Sequence, residues 1–417
     1  MAKRRSNLAL CRLPLWIRVR AIMRQTCATT YAARMNAFNG LQTALIALAL
    51  SGWCGALAQA HAVHVDGFEA PARVVMSTGG ANYLWFGDDG QCQIDSRDAF
   101  GLLKRYHEID VERGSVRRIA RRQLAAMYKG GMRRLSLGVY FMHQPASGGT
   151  LIDSSDPVEV AQTARNLANL LADVKASGYE EVLFRFFPTN NINPSQPEFP
   201  RYGGVEFDLR VNEYWRLIQA LRPALVNSGL AYRIDLMVEG APRDSNNVVV
   251  PESSRYKYPA NDTWSRAVRS LWQRYVAAWG ANDTVGFSFI VDEDRNRLRS
   301  RVRHMRYVYE GIYPHAFAID FYAGQHQDEY EKFLWMDQNM REQNPAGAHW
   351  DSTGWIIAEV YYEDPLVAAG LARAIRETGR TVFYLTQWPL DRASDCRSAH
   401  VNLAPPYRWR VWPAYGF

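Results

Sequence analysis

Cysteine is scarce in this chain, 5 in 417 residues, and residues 70–417 contain no internal repeat, low-complexity tract or Pro/Gly/Ser linker. A disulfide scaffold, a collagen-like fibre and a disordered polymer are thereby excluded, and 47% hydrophobic with 12% aromatic residues is a globular composition. Also missing are a phosphate-binding P-loop, a Rossmann fingerprint, a nucleophile elbow and the H-x-H, H-E-x-x-H and C-x-x-C spacings of common metal sites. Nucleotide-driven chemistry, serine hydrolysis of the elbow type and motif-borne zinc chemistry lose their usual signatures.

One further absence is local. Residues 1–62 hold no Asp or Glu but eight basic side chains, and within them Leu41–Leu57 is an apolar run followed by Ala58-Gln59-Ala60 and Ala60-His61-Ala62. A basic flank, an apolar stretch and an A-x-A exit describe a secretory signal peptide cleaved near Ala60 or Ala62. The run is short for a bilayer span of about 20 residues, so no stable membrane insertion is expected after cleavage. The expected organisation is a leader over 1–62 and one domain over 63–417, secreted or periplasmic. The leader also explains the formal charge of +7: without it 41 basic residues face 42 acidic ones, a net −1 that gives no reason to expect nucleic acid.

What fills 63–417 is alternation. Strand-like runs occur at Tyr83–Gly87, Arg134–Phe141, Glu181–Phe187, Tyr232–Glu239, Val285–Val291, Ala316–Tyr322, Trp355–Tyr361 and Thr381–Trp388. Helical patterns lie between them, and several stop at a glycine shortly before the next strand: Gly130, Gly178, Gly229 and Gly379. Eight strands alternating with seven helices predict an α/β fold with a parallel sheet, and eight strands close a (β/α)8 TIM barrel. An open doubly wound sheet is the fallback.

Barrel chemistry gathers where strands end. The predicted C-terminal ends carry His143, Thr189-Asn190-Asn191, Glu239, Asp292-Glu293-Asp294, Asp320 with Tyr322, Glu359 with Tyr361 and Tyr362, and Gln387-Trp388. Period two puts Asp235, Met237 and Glu239 on one face, and Trp355, Ile357, Glu359 and Tyr361 on another. A carboxylate between apolar neighbours, as at Glu359, is costly unless paired or used. Glu293 in its acidic run is equally a helix N-terminal charge.

Gly354-Trp355-Ile356-Ile357-Ala358-Glu359 resembles the seventh strand of the clan A retaining glycoside hydrolases, which ends in a small residue and the nucleophilic Glu. Leu385-Thr386-Gln387-Trp388 resembles their eighth strand, whose Trp floors the sugar subsite at the cleavage point. The resemblance implies Glu359 as nucleophile, Glu239 at the end of strand four as acid/base, and Tyr322 as a hydrogen-bond partner of the nucleophile. Two departures stand out: Val238 occupies the place of an Asn that holds the sugar 2-hydroxyl, and Arg133 and Arg134 stand at the wrong end of strand two, leaving Arg185 on strand three as the substitute arginine.

The expected function is therefore an exported glycosidase cleaving β-linked poly- or oligosaccharide by a retaining two-carboxyl mechanism without a cofactor. Trp388, Tyr361, Tyr362 and Trp85 are expected to stack on sugar rings, with His143, Arg185, Asn190 and Glu293 as further substrate contacts. Trp264, Trp272 and Trp279, spaced along one helix, are expected to pack. Alternatives are a catalytically impaired carbohydrate-binding barrel, favoured by Val238, and a metal-dependent barrel hydrolase or isomerase using His143, Asp235, Glu239 and Asp292. Cys92 after strand one and Cys396 after strand eight become neighbours in a closed barrel and are expected to form a disulfide. The basic run Arg295–Arg306 reads as a solvated helix face, or as a contact for an acidic polysaccharide.

Overall fold

A computed structural model of the chain describes residues 76–84, 101–110, 114–147, 149–243, 262–291, 295–324, 327–392 and 407–417. The leader, Trp85, Cys92, Asp292, Glu293 and Cys396, about which expectations were stated above, lie outside the described residues.

The barrel strands are β1 (Gly80–Asn82), β2 (Arg134–Met142), β3 (Glu181–Pro188), β4 (Ala231–Asp235), β5 (Thr284–Gly286), β6 (Phe289–Val291), β7 (Ala316–Phe321), β8 (Gly354–Glu359) and β9 (Val382–Gln387). They pair in the order β5-β4-β3-β2-β1-β9-β8-β7-β6, all parallel. Only two residues separate β5 from β6, so they are the two halves of the fifth barrel strand and the sheet closes on itself. The helices α1 (Val116–Lys129), α2 (Pro157–Ala176), α3 (Val205–Val226), α4 (Thr263–Trp279), α5 (Arg295–Val308), α6 (Tyr330–Glu342) and α7 (Pro365–Thr378) fall between them. The chain is a (β/α)8 barrel.

Alternation divides the apolar residues into two layers. Leu183, Val285, Ala316, Ala318, Ile356 and Tyr384 meet in a small cluster apart from the main core. Their strand neighbours Phe184, Phe317, Ile319, Trp355 and Ile357 belong to that main core, which they share with the helices. Trp272 is buried and its indole N–H donates to Ile312 O at 3.1 Å, while Trp279 packs on Trp215 with ring centres 5.0 Å apart. Packing thus accounts for both rings.

Three differences from the expected strands have local causes. The first strand is Gly80–Asn82 rather than Tyr83–Gly87. Here two strands press together so closely that a Cβ on Gly79 would lie 1.7 Å from Leu385 O, and one on Gly80 1.8 Å from Arg134 O. A three-residue strand entered through two glycines shows no hydrophobic run. The fifth strand is broken at Gly286, whose φ of +71° suits glycine. Val285 faces the inner cluster, whereas Phe287 packs outward, its ring 6.3 Å from that of Tyr309. The break thereby turns Ser288 inward.

The third difference is in β8. Ile319 pairs with Ile357, but Asp320 pairs with Glu359, so Ala358 is an extra residue, a β-bulge. Trp355 and Ile357 point to the helices as Ile356 and Ala358 point to the axis. Strict alternation would send Glu359 outward with Trp355 and Ile357; the bulge sends it inward after Ala358. The expected common face of Trp355, Ile357, Glu359 and Tyr361 is therefore corrected.

Candidate active site

The centre of the site is Arg185 on β3, fully buried. Its Nε donates to Asp235 Oδ2 at 3.0 Å, Nη1 to Glu359 Oε1 at 2.5 Å, and Nη2 to Asp320 Oδ2 at 2.8 Å and to Ser288 Oγ at 3.2 Å. Three strand ends and the Ser288 break are thus tied to one planar guanidinium, whose forked donors suit several carboxylates at once. Burial works against the charge on Arg185, but Asp320, Glu359 and Asp235 overcome it and hold the group firmly protonated.

Glu359, 5% exposed, accepts from Arg185 on one oxygen and from the Tyr322 hydroxyl on the other, at 2.7 Å. Burial pushes its carboxyl above the ordinary range, against the opposing pull of Arg185 and then of the Tyr322 hydrogen bond. Burial, reinforced by Glu359, pushes the Tyr322 phenol well up, so it stands as a neutral donor.

Glu239 reaches the same space by another route. The fourth strand ends at Asp235, and Glu239 stands four residues on in a turn, so the expected strand Tyr232–Glu239 is too long. Its φ is +51°, a left-handed conformation that costs a non-glycine residue on the order of 1–2 kcal/mol. Its backbone N–H donates to Ser288 Oγ at 2.8 Å, so the hydroxyl that meets Arg185 also pins this turn. Oxygens of Glu239, Asp320 and Glu359 lie within 4.8 Å of one another.

A cleft of about 490 Å³ opens over Glu239 and Glu359. Its walls include Tyr140, Phe187, Tyr322, Tyr361 and Trp388, with Asn193 and Val238 beside them. Tyr140 and Phe187 stack with ring centres 4.2 Å apart, and Trp388 leans on Phe187 at 6.3 Å. Burial and then the nearby charge of Glu359 push the Tyr140 phenol well above its usual range.

Behind Tyr361 lies a second arginine centre. Arg392 donates to Asp364 Oδ2 at 2.5 Å, to both oxygens of Glu329 at 2.6 and 2.8 Å, and to the carbonyls of Gly324 and Gln327 at 2.8 and 2.7 Å. Its guanidinium sits 4.6 Å from the Tyr361 ring centre, and Tyr361 in turn meets Tyr322 edge-on at 5.0 Å. Asp364 also caps α7. Burial pushes the Glu329 carboxyl up to about 7, with Arg392 pulling the other way.

Of the residues expected in the site, Glu239, Glu359, Arg185, Tyr322, Tyr361 and Trp388 converge on the cleft or its floor. His143 and Asn190 do not. His143 Nδ1 lies 2.9 Å from Glu213 Oε2, whose other oxygen accepts from Ser154, and Asn190 is exposed with its amide against Met142 Sδ. A rim position fixes the height of a side chain in the barrel but not its direction. The metal set of His143, Asp235, Glu239 and Asp292 is likewise not assembled among the described residues: His143 is held by Glu213, and Asp235 by Arg185. The three carboxyls that do converge have oxygen spacing suited to a divalent ion, but the positive charge beside them is supplied by Arg185. Tyr140 and Asn193 were missed; Tyr140 sits mid-pattern on β2 with nothing in its neighbours to single it out. Asp320 was noted only as a strand end. Tyr362 is tied to the C-terminal segment, its hydroxyl accepting from Arg408 N at 2.7 Å. Arg134 pairs with Glu180 and Glu181 at the opposite end of the barrel.

No protein-family model matches the chain, and no curated protein matches it. Solved structures do. One is a GH5_18 protein from Streptomyces cattleya in complex with GlcNAc, 13% identical, covering 79% of this chain and 76% of that one at a TM-score of 0.47. Another is a GH5_18 protein from Bifidobacterium longum subsp. infantis, 13% identical, with 82% and 77% covered at 0.46. A β-mannanase of Thermomonospora fusca in complex with mannotriose is 9% identical, with 64% and 74% covered at 0.35.

Proposed function

We propose that this chain is a retaining glycosidase of β-linked glycans, with Glu359 as nucleophile and Glu239 as acid/base. The observation that carries the reading is the approach of Glu239 and Glu359 to within 4.8 Å across a cleft walled by aromatic rings. Retaining enzymes hold their two carboxyls about 5–5.5 Å apart, and inverting ones leave room for a water between them.

Glu359 attacks the anomeric carbon while Glu239 gives its proton to the departing glycosidic oxygen. The bond to the leaving sugar breaks as the Glu359 ester forms. Water, deprotonated by Glu239, then attacks the same carbon, breaks the ester and restores both groups with net retention. Arg185 and Tyr322 each hold one oxygen of Glu359, which fixes its orientation and favours its charged form. Trp388, Tyr361 and Tyr140 offer faces for the pyranose rings. The leader-like composition of residues 1–62 supports export, so the substrate is met outside the cytoplasm.

Digestion of a panel of β-linked polysaccharides tests the reading, with product anomers followed by NMR. The wild type releases sugar with retained configuration, and Glu359→Gln releases none. Inverted product, or full turnover by Glu359→Gln, overturns the mechanism. Val238 on the cleft wall favours one second reading, a barrel that binds glycan without cleaving it. Binding without product from the wild type, unaltered in Glu359→Gln, selects that reading.

A further inference from the structure

The buried centre holds one cation and an excess of anions. Arg185, Asp235 and Asp320 are fully buried and Glu359 nearly so, with Glu239 half-buried beside them. Three carboxylates against one guanidinium leave two uncompensated charges out of water, each costing several kcal/mol, and such a group of acids retains a proton.

The hydrogen bonds differ enough to say where. Asp235 accepts from Arg185 on Oδ2, and from the backbone N–H groups of Met237 at 3.2 Å and Ser288 at 3.1 Å on Oδ1. Glu359 accepts from Arg185 on Oε1 and Tyr322 on Oε2. In both residues each oxygen has a donor of its own. Asp320 is different: among the described residues both its oxygens face one nitrogen, Nη2 of Arg185, at 3.1 and 2.8 Å. That nitrogen also serves Ser288. One nitrogen leaves one Asp320 oxygen under-supplied, and the carboxyl oxygens nearest to it are acceptors, those of Glu359 and Glu239.

We propose that Asp320 is a positioning residue that carries the proton retained by the buried centre, donating it toward Glu359 or Glu239 and leaving Glu359 as the only charged carboxylate on that side of Arg185. The groups facing Asp320 are Arg185 from β3, Asp235 from β4, Glu239 from the turn after it and Glu359 from β8, with Tyr322 next on its own strand. Phe289–Val291 of β6 presents no titratable side chain. Burial, resisted by Arg185 and reinforced by Glu359 and Glu239, pushes the Asp320 carboxyl well up, in the same direction as the hydrogen-bond count. The assignment deepens the glycosidase reading, since it explains how the nucleophile stays ionised beside other acids, but its test needs no turnover.

Infrared spectroscopy of the full chain at pH 7 reads the proton directly. Glu239→Gln, in which the acid/base contributes no band, shows the carbonyl stretch of a buried protonated carboxyl, shifted in D2O, and adding Asp320→Asn removes it. A Glu239→Gln protein without the band, or a band that survives in the double variant, overturns the assignment. Stability gives a second measurement. If folded Asp320 is neutral while unfolded Asp320 is ionised, the fold binds an extra proton. The wild type then loses up to about tenfold in its folding equilibrium per pH unit as pH rises above the ordinary carboxyl range. Asp320→Asn, neutral and of the same shape, is free of that loss, so its melting temperature gains on the wild type between pH 5 and pH 8. An Asp320→Asn protein that fails to fold, or melts below the wild type by the same margin at every pH, shows that a charge was removed and overturns the proposal. Absence of glycosidase activity in the wild type counts against the proposed function and leaves both measurements standing.

Discussion

Replacing Arg185 by Met keeps much of the side chain's volume and removes its charge and donors. Asp235, Asp320 and Glu359 then remain buried around an apolar group, with Asp320 losing its one donor nitrogen and Glu359 one of two. Breaking a buried ion pair by removing one partner costs about 3–5 kcal/mol, a large share of the roughly 5–15 kcal/mol that holds a domain together. The cost has a sign with pH. Without Arg185 the Asp320 and Glu359 carboxyls rise further above their unfolded values, so the folded state binds more protons than the unfolded one. Stability then falls as pH rises, by about 1.4 kcal/mol per pH unit for each extra proton bound. Urea unfolding followed by tryptophan fluorescence at pH 5, 6.5 and 8 measures this, provided the slope of the transition matches the wild type. The expected result is a midpoint far below the wild type at pH 8, with the gap narrowing toward pH 5. A midpoint within error of the wild type, or a deficit equal at all three pH values, would refute the electrostatic account of the barrel centre.

Three further changes probe other links. Tyr322→Phe deletes one hydrogen bond to Glu359, worth about 1.5–3 kcal/mol for a charged acceptor; kcat on any cleaved glycan should fall roughly ten- to a hundredfold. Because that bond lowers the Glu359 carboxyl, the acid limb of the pH–rate profile should also move to higher pH; a drop in kcat with the limb unmoved contradicts the assignment. Gly79→Ala drives a methyl group into Leu385 O, and circular dichroism should show a protein unfolded or melting well below the wild type; an unchanged melt would mean that β1 and β9 are not so closely apposed. Arg392→Met unties the segments around Gly324, Glu329 and Asp364 that back Tyr361, so KM should rise several-fold with kcat much less affected. Equal losses in both constants would place Arg392 in the chemistry instead.

The barrel is legible in the sequence because seven of its strands are apolar runs bounded by helical patterns. The eighth is not, since Gly79 and Gly80 serve by what they lack, and the apolar run after them is what the eye finds. Glu359 and Glu239 are both found, but for incomplete reasons. Period two assigns Glu359 to the face of Trp355, and only the extra residue Ala358 brings it to Arg185. Counting strands leads to Glu239, but the carboxyl is delivered by a left-handed turn beyond the strand. His143 and Asn190 fail because the end of a strand says nothing of where its next side chain turns, and their partners Glu213 and Met142 are distant in sequence. Asp320 and Tyr140 are silent for the opposite reason: each obeys its strand's alternation and is distinguished only by what other strands bring against it.

The extra residue in β8 also bears on how such a barrel is inherited or redesigned. Were β8 to run as a regular strand, with Ala358 taking the place opposite Asp320, every chemically active side chain would still be present in the same order, and a comparison by residue identity would register no change. The following strand end would nevertheless exchange its faces, with Val360 turned to the axis and the Glu359 carboxyl laid under the helices. In this protein the register shift between Ile357 and the acid is as much a part of the site as the acid itself. A graft of the Trp355–Glu359 segment onto another scaffold transfers the nucleophile only if the partner strand accepts the same shift between Ile319 and Asp320.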